Sequence, residues 1–190
     1  MSGCMLLNAN LDHQSSIPMS GLYTLDEGDY AATLATLAEW GDAKAQHNLG
    51  AMYLEGMELP QDYAMAMQWY SQSANQGYAP AQYDIGTLYL EGVGVDPDPV
   101  TAAEWFLAAA KQNDSKAQNN LGILCATGEG VPRDMVQARM WFLLAVQGGL
   151  SDAIENLELS SEEMTPEEMD YAKRLAAEWC PNQHKRINMI

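Results

Sequence analysis

The sequence has few basic residues, few cysteines and no long apolar run, and each shortage argues against a class of function. Nine Lys and Arg residues stand against 26 Asp and Glu residues, which gives a formal net charge of −17. The imbalance is strongest before Lys111, where Lys44 is the only basic residue beside 14 acidic ones. Such a charge repels phosphate groups, so we expect binding neither to nucleic acid nor to an anionic membrane surface. It attracts basic proteins instead, although acidic surfaces also serve solubility alone.

The cysteines and the apolar segments indicate neither a disulfide framework nor a membrane span. Cys4, Cys125 and Cys180 cannot all pair with one another, and no two of them lie at a metal-binding spacing. No apolar run approaches the roughly 18 residues that a membrane-spanning helix needs, so we expect no membrane insertion. The N-terminal segment lacks the basic and apolar regions of a secretory signal. We therefore expect a cytoplasmic protein, or a periplasmic one if a signal peptide has been removed.

Residues that could carry chemistry are scattered along the chain. The three histidines, His13, His47 and His184, lie in separate segments. No His-x-x-x-His or Cys-x-x-Cys pattern and no phosphate-binding loop is present. The glutamate pairs at 162–163 and 167–168 lack the alternating ligand spacing of a calcium-binding loop. We expect no catalytic residue, no metal site and no cofactor.

What the sequence does contain is an internal repeat of 36 residues. The segment AQHNLGAMYLEG at 45–56 returns as AQYDIGTLYLEG at 81–92 and, less closely, as AQNNLGILCATG at 117–128. A tryptophan followed by a second aromatic residue keeps the same spacing, at 69–70, 105–106 and 141–142. Self-similarity at a fixed period of this length is the signature of a stacked repeat architecture.

Each repeat predicts two helices joined by a tight turn. The first helix covers roughly 43–55 in repeat one, has apolar residues at helical spacing and stops at Gly56. A connector rich in Gly and Pro follows. The second helix begins after an aspartate whose carboxylate can cap the free amides of the first turn. These aspartates are Asp62, Asp98 and Asp134. The second helices end at residue types that tolerate a left-handed conformation, namely Gly77, Asn113 and Gly149.

Recurrent glycines and tryptophans predict how the helices pack. A glycine inside a helix costs about 1 kcal/mol relative to alanine, so we expect a close neighbour at Gly50 and its equivalents. The repeated tryptophan is large enough to fill the space between one helix pair and the next. Two departures weaken the pattern. Glu58 stands where the other repeats have glycine, which argues against a left-handed turn there, and Cys125 replaces a tyrosine, which suggests looser packing in repeat three.

The two ends of the array predict half repeats and a cap. Residues 26–41 align with a lone second helix and residues 151–159 with a lone first helix. Thr165-Pro166-Glu167-Glu168 reads as a capping box that opens an amphipathic helix to about Trp179. We divide the chain into a flexible N-terminal segment 1–21, a repeat array 22–160, a capping helix 161–180 and a tail 181–190. The full repeats within the array are about 41–76, 77–112 and 113–148.

The pattern A-x-A-Q-x-x-L-G-x-x-Y-x-x-G-x-G-V-x-x-D, followed by W-[YF]-x-x-[AS]-A-x-x-G, resembles the Sel1-like repeat family, a relative of the tetratricopeptide solenoids. The match covers about residues 26–160. The resemblance implies an all-α fold, a right-handed superhelical solenoid of antiparallel helix pairs. It also implies an adaptor scaffold whose first helices line an inner groove that holds another protein or a peptide. We call the face formed by the first helices the groove face.

Positions of the groove face that vary between repeats are the candidates for partner binding. Counted from the leucine of the Leu-Gly pair, they lie two residues before it, two after it and five after it. The glutamates at the rim of the groove are added to this set. The candidate residues are His47, Ala51, Leu54, Glu55, Tyr83, Thr87, Leu90, Glu91, Asn119, Ile123 and Glu155, and the same positions include Ala126 and Leu159. Tyr83 is the strongest single candidate, because an exposed aromatic residue at the centre of a groove is a usual anchor. The alternative for each is an ordinary exposed residue of a solenoid.

Two functions follow from these observations. The first is a non-enzymatic adaptor for a protein or peptide with a basic surface, and a specific version inhibits or regulates that partner, as an immunity protein does. The second is an enzyme acting on β-lactam or cell-wall substrates, which the resemblance implies only through cysteine-rich relatives. Those relatives have cysteine-paired repeats, whereas Cys125 is the only cysteine within the full repeats of this chain.

Overall fold

A computed structural model describes residues 30–179, which form nine α-helices and no β-strand. The N-terminal segment 1–21 and the tail 181–190 of the sequence-based division lie outside this range, as do Cys4, Cys180, His13 and His184. A lone helix, α1, covers Tyr30–Glu39. Three helix pairs follow in the order first helix, second helix: α2 Ala43–Glu55 with α3 Tyr63–Asn75, α4 Ala79–Glu91 with α5 Pro99–Ala110, and α6 Ser115–Thr127 with α7 Met135–Gln147. The chain closes with α8 Ala153–Leu159, a 3-10 turn Ser160–Glu163 and α9 Pro166–Glu178. The all-α stack of helix pairs that the 36-residue period predicts is therefore confirmed.

Aspartates begin all three second helices, as the sequence predicts. Asp62 accepts a hydrogen bond from the Met65 amide at 3.0 Å, and Asp134 accepts from the amides of Val136 and Gln137. Asp98 accepts hydrogen bonds from the backbone amides of Val100 and Thr101, and also from the Thr101 hydroxyl at 2.6 Å. These carboxylates satisfy donors that have no partner inside the helix.

Left-handed residues end the helices at the predicted places. Gly77, Asn113 and Gly149 have φ values of 86°, 65° and 90°. The expectation for the turn of repeat one was wrong, because Glu58 also adopts a left-handed conformation, with φ 60°. The turn of repeat one thus keeps the backbone of the other two, although an L side chain there costs about 1–2 kcal/mol.

The glycine inside each first helix faces an aromatic ring of the paired second helix. A Cβ atom added at Gly50 would lie 3.0 Å from the Tyr70 ring, and one at Gly122 would lie 2.6 Å from the Phe142 ring. A Cβ added at Gly86 would lie 2.8 Å from the Phe106 ring, which is intermediate between the other two distances. The close neighbour that the sequence predicts is therefore a side chain, and it is tightest in repeat three.

The buried core is divided into three clusters along the stack. One joins α1 and α2, a second joins α3 and α4, and the third runs from α5 to α9. Cys125 lies inside the third cluster and is only 5% exposed. The expectation of looser packing in repeat three was therefore wrong, because the smaller thiol is covered by its neighbours.

The C-terminal segment closes repeat three through two contacts. Trp141 is fully buried, and its ring meets that of Trp179 edge to face, at 4.8 Å between centroids. Arg139 donates from Nη1 to the Leu157 carbonyl and to the hydroxyls of Ser160 and Ser161, at 2.8 Å each. The burial of Arg139 lowers its pKa. The predicted capping box of Thr165 and Glu168 begins α9.

A buried glutamine links each first helix to the helix before it. Gln46 donates from Nε2 to the Ala38 carbonyl at 3.0 Å, and Gln82 donates in the same way to the Ala74 carbonyl at 3.2 Å. Gln118 repeats the bond with the Ala110 carbonyl at 3.3 Å. The invariance of this residue in the three repeats thus has a structural cause, since it satisfies a carbonyl at the end of the preceding helix.

Candidate functional site

The structure distributes the candidate binding residues over two levels of exposure. The half-buried ones are His47, Ala51, Leu54, Tyr83, Thr87, Leu90 and Asn119, and the exposed ones are Glu55, Glu91, Ile123 and Glu155. All eleven lie on the first helices α2, α4, α6 and α8, which form the groove face.

Several half-buried candidates contribute to packing between repeats. Ala51 and Leu54 pack against the cluster that joins α3, their own paired helix, to α4 of the following pair. Leu90 packs in the same sense against the third cluster. The Thr87 hydroxyl donates to the Tyr83 carbonyl within its own helix, at 3.2 Å. A partner would therefore reach only part of these side chains.

His47 forms a polar contact between the first two repeats. Its Nε2 lies 2.7 Å from Asp84 Oδ2, and the side chains are 18% and 33% exposed. The imidazole also contacts the rings of Tyr70 and Tyr78, with centroids 5.5 and 5.4 Å away. Burial raises the pKa of the Tyr70 hydroxyl, and the charges of Asp84 and Glu55 raise it further. The half-buried His47 is therefore held by three neighbours and has little freedom.

An equivalent polar contact joins the first helices α6 and α8 near the C-terminal end of the stack. Asn156 donates from Nδ2 to Asn119 Oδ1 at 2.9 Å, and this pair has the same spacing of 37 residues as His47 and Asp84. Sequence reasoning missed Asp84 and Asn156. The available signal was that each directly follows, one repeat later, a position already selected as variable.

Tyr83 lies on α4, the first helix of repeat two, and is less exposed than the sequence predicts. Its ring is tilted against Phe106 at a centroid distance of 5.9 Å, and the ammonium group of Lys116 lies 5.7 Å from its centroid. Tyr83 packs against the third core cluster and is half-buried. Lys116 thus places a cation beside the ring of this candidate residue, a neighbour that sequence reasoning did not identify.

A depression of about 440 Å³ opens beside Tyr83. One side is lined by His47, Pro80, Tyr83 and Asp84 from the first two repeats, and the other by Asp114, Ser115, Lys116, Gly148, Gly149 and Leu150. The depression therefore joins residues of all three repeats. It contains both signs of charge, and an aromatic side chain stands at its wall.

Apolar exposure on the groove face increases toward the C-terminus. Four residues at a spacing of 36 occupy one position of the repeat: Ala51, Thr87, Ile123 and Leu159. Ile123 is 38% exposed and Leu159 is 53% exposed. The C-terminal half of the groove face thus offers adjacent aliphatic side chains, next to the exposed carboxylate of Glu155.

The chemistry of the described residues is limited. Burial raises the pKa of the Cys125 thiol to about 11, and the charge of Asp134 adds to this effect. Cys125 is therefore not the thiolate that nucleophilic catalysis requires. Within residues 30–179 no three His, Cys, Asp or Glu side chains are grouped as a metal site would need. Over the same range, every helix is too short or too polar to span a bilayer.

Comparisons with known proteins agree with this architecture. The family model described as the Sel1 repeat matches residues 43–78, 79–114 and 115–150. The chain is similar to c5321, a protective antigen of uropathogenic Escherichia coli with an SLR fold, with 40% identity and a TM-score of 0.63. That match covers 65% of this chain and 26% of the antigen, so this chain spans about a quarter of that protein.

Two further structures are similar over most of their own length. A Sel1 repeat protein from Oxalobacter formigenes has 32% identity and a TM-score of 0.64, over 68% of this chain and 98% of that one. The cysteine-rich protein B of Helicobacter pylori shares the fold, with 24% identity and a TM-score of 0.54, over 70% of this chain and 100% of that one. The search of curated proteins gave no match. Three matched repeats that span more than half of the chain, built as helix pairs in a stack, show that it belongs to the Sel1 repeat family.

Proposed function

We propose that this protein is a non-enzymatic binding module that holds a basic protein or peptide on its groove face. Sel1 repeat proteins generally mediate protein–protein interactions, which supports a protein partner. The basic character of the partner is the finer part of the proposal, and a single observation carries it. Acidic residues greatly outnumber basic ones, and those on the groove face are mostly unpaired.

Apart from the contact of His47 with Asp84, the ion pairs of the described residues lie outside the first helices. Arg133 pairs with Glu163 at 2.5 Å, and Arg174 pairs with Asp170 at 2.9 Å within α9. The exposed carboxylates of Glu55, Glu91 and Glu155 have no such partner among residues 30–179. Unpaired carboxylates on one face steer a basic partner toward it and raise its association rate.

The groove face also offers the apolar contact that a stable complex needs. Tyr83 supplies an aromatic ring beside the depression, and Ile123 and Leu159 supply exposed aliphatic surface. Interfaces of this kind combine a few apolar anchors with a charged rim. Binding there would inhibit or regulate the partner if it covers a functional surface of that protein, as an immunity protein does.

Affinity capture followed by a salt titration tests this proposal. The full chain serves as bait, and the dissociation constant of each captured protein is then measured between low and physiological salt. We expect a protein with a basic surface whose affinity falls as salt rises, because surface charges are screened beyond about 8 Å at physiological ionic strength. A complex with no salt dependence, or one with an acidic partner, would contradict the proposal.

A further inference from the structure

We propose that repeat three contains a subsite for a side-chain carboxamide, a glutamine or asparagine of the protein partner, in the space above Gly148. The inference rests on the proposed function, because it assumes a protein partner on the groove face. It adds one specific contact within that face.

Repeats one and two show what occupies the equivalent space. Gln76, at the end of α3, donates from Nε2 to Gln46 Oε1 at 2.7 Å. Gln112, just after α5, donates from Nε2 to Gln82 Oε1 at 2.8 Å and to the Gly77 carbonyl at 2.9 Å. In both repeats a carboxamide from the end of the second helix therefore satisfies the buried glutamine of the first helix.

Repeat three has the acceptor without this donor. Residue 148 is a glycine, one period after Gln112. Gln118 keeps the bond to the Ala110 carbonyl that its counterparts make, and it is only 2% exposed. Because the shared bond fixes the same orientation, its Oε1 faces the space above Gly148. None of residues 30–179 donates a hydrogen bond to that oxygen.

The space in question opens into the depression described above. Gly148, Gly149 and Ser115 line it on the side of repeat three, and Lys116 and Tyr83 stand nearby. The depression measures about 440 Å³ and is open to solvent. Gly148, which stands where the other repeats carry the donor, therefore lines an open depression.

The equivalent contacts of repeats one and two favour a carboxamide as the donor. The ligand must donate to Gln118 Oε1, and the Asn113 carbonyl is the counterpart of the Gly77 carbonyl that accepts the second bond in repeat two. A lysine or arginine would also donate, and the lining contains Asp84 and Asp114 beside Lys116, so its charges do not select between the two kinds of donor. A carboxamide carries no charge and is the group that this chain itself uses in the other repeats.

An NMR titration of the ¹⁵N-labelled full chain tests the subsite. The probe is N-acetyl-glutamine N-methylamide, and the matched probe is the methionine derivative, which is similar in length but has no amide donor in its side chain. We expect saturable shifts at the Gln118 side-chain amide and at the backbone amides of 148–149 with the glutamine probe. We expect the methionine probe to bind at least about fivefold more weakly, since it lacks the hydrogen bond.

Two variants provide the controls. Ser115→Ala/Gly148→Gln recreates the residues of repeats one and two, where position 115 is matched by Ala43 and Ala79. The serine is removed because its hydroxyl occupies the position that a Cβ at Gly148 would take. We expect the double variant to lose the glutamine-specific shifts and Ser115→Ala alone to keep them. An unfolding midpoint of the double variant at or above that of the parent verifies that the loss is not caused by unfolding.

Three outcomes would overturn the subsite. They are equal shifts with the two probes, shifts that persist in the double variant, and no shift at Gln118 up to the solubility limit of the glutamine probe. Because both probes are uncharged and the acidic residues are unchanged, these outcomes leave the basic-partner proposal intact. Conversely, a salt-insensitive complex would contradict the proposed function even if the capped glutamine binds above Gly148.

Discussion

Repeats one and two differ from repeat three in what covers them, although all three use the same residues at the same spacing. The cluster of α1 and α2 and the cluster of α3 and α4 contain six buried residues each, whereas the third cluster extends from α5 of repeat two through repeat three to α9 and contains 15. Trp69 is half-buried, while its equivalent Trp141 is fully buried beneath Trp179. The burial of a repeated residue, and hence its contribution to stability, thus depends on which helix follows it in the stack.

The two regions also differ in how they end on the groove face. Repeats one and two complete their glutamine pairs internally, through Gln76 and Gln112. Repeat three replaces the donor by Gly148 and leaves a depression beside it. The region with the largest core is therefore also the region with an incomplete hydrogen-bond pattern at its surface.

The largest expected difference between the regions comes from the tryptophans. We expect Trp141→Ala to lower the free energy of unfolding by about 3–5 kcal/mol, because it removes a fully buried ring and leaves Trp179 without its partner. Trp69→Ala should cost less, about 1–3 kcal/mol, since that side chain is half-buried. Urea unfolding followed by circular dichroism measures both. Equal losses would show that the C-terminal segment does not strengthen repeat three.

A smaller difference is expected for the glycines inside the first helices. In Gly122→Ala the new Cβ would lie 2.6 Å from the Phe142 ring, so we expect overpacking to cost about 1–3 kcal/mol. In Gly50→Ala the distance to the Tyr70 ring is 3.0 Å, and the gain of about 1 kcal/mol in helix propensity offsets most of the strain. Thermal unfolding of the two variants compares them. A Gly50→Ala variant as unstable as Gly122→Ala would contradict the tighter packing of repeat three.

The smallest effect concerns the Asp98 cap of repeat two, which also accepts a hydrogen bond from the Thr101 hydroxyl. The hydrogen bond from the Thr101 hydroxyl, together with the backbone amides, lowers the pKa of Asp98. Repeats one and three have Met65 and Gln137 at the position of Thr101. A lowered pKa in the folded state stabilises the protein above the ordinary pKa of aspartate, and this contribution is lost as pH falls through the lowered value.

We therefore expect Thr101→Val to raise the pKa of Asp98 toward its ordinary value and to reduce stability at neutral pH more than at pH 2–3. NMR titration of the Asp98 carboxyl measures the pKa directly. Glu168 is the internal control, because its pKa is lowered by a separate hydrogen bond from the Thr165 backbone. An unchanged pKa of Asp98 in the variant would show that the threonine hydroxyl is not the main cause.

Much of the fold could be predicted from the sequence because its determinants are local. Asp62 caps a helix through an amide three residues away, and Gly77 ends one through its own backbone freedom. Contacts across repeats could not be predicted in the same way. The contact of His47 with Asp84 depends on the rotation and separation of neighbouring helices, and the bonds of Arg139 depend on where the 3-10 turn lies. The left-handed Glu58 shows that the turn geometry outweighs the local preference of one residue.

The candidate site was predictable in outline only. The repeat spacing placed Tyr83 and Ile123 on the groove face, because equivalent positions of a repeat share one face of the stack. It did not reveal the depression, which combines side chains from all three repeats with a glycine one period after Gln112. A position whose residue changes from glutamine to glycine was a visible signal, but its meaning required the hydrogen bonds of the other two repeats.

The most direct measurement of the central claim compares two sets of charge reversals against the captured basic partner. The groove set replaces Glu55, Glu91 and Glu155 by lysine. The control set replaces three exposed glutamates outside the groove face by lysine, and these are Glu39 on α1, Glu104 on α5 and Glu178 on α9. Both sets change the net charge equally, and circular dichroism verifies that both proteins fold. Isothermal titration calorimetry should show affinity lost in the groove set and retained in the control set. Equal losses in the two sets, or an unchanged affinity in the groove set, would contradict binding on the groove face.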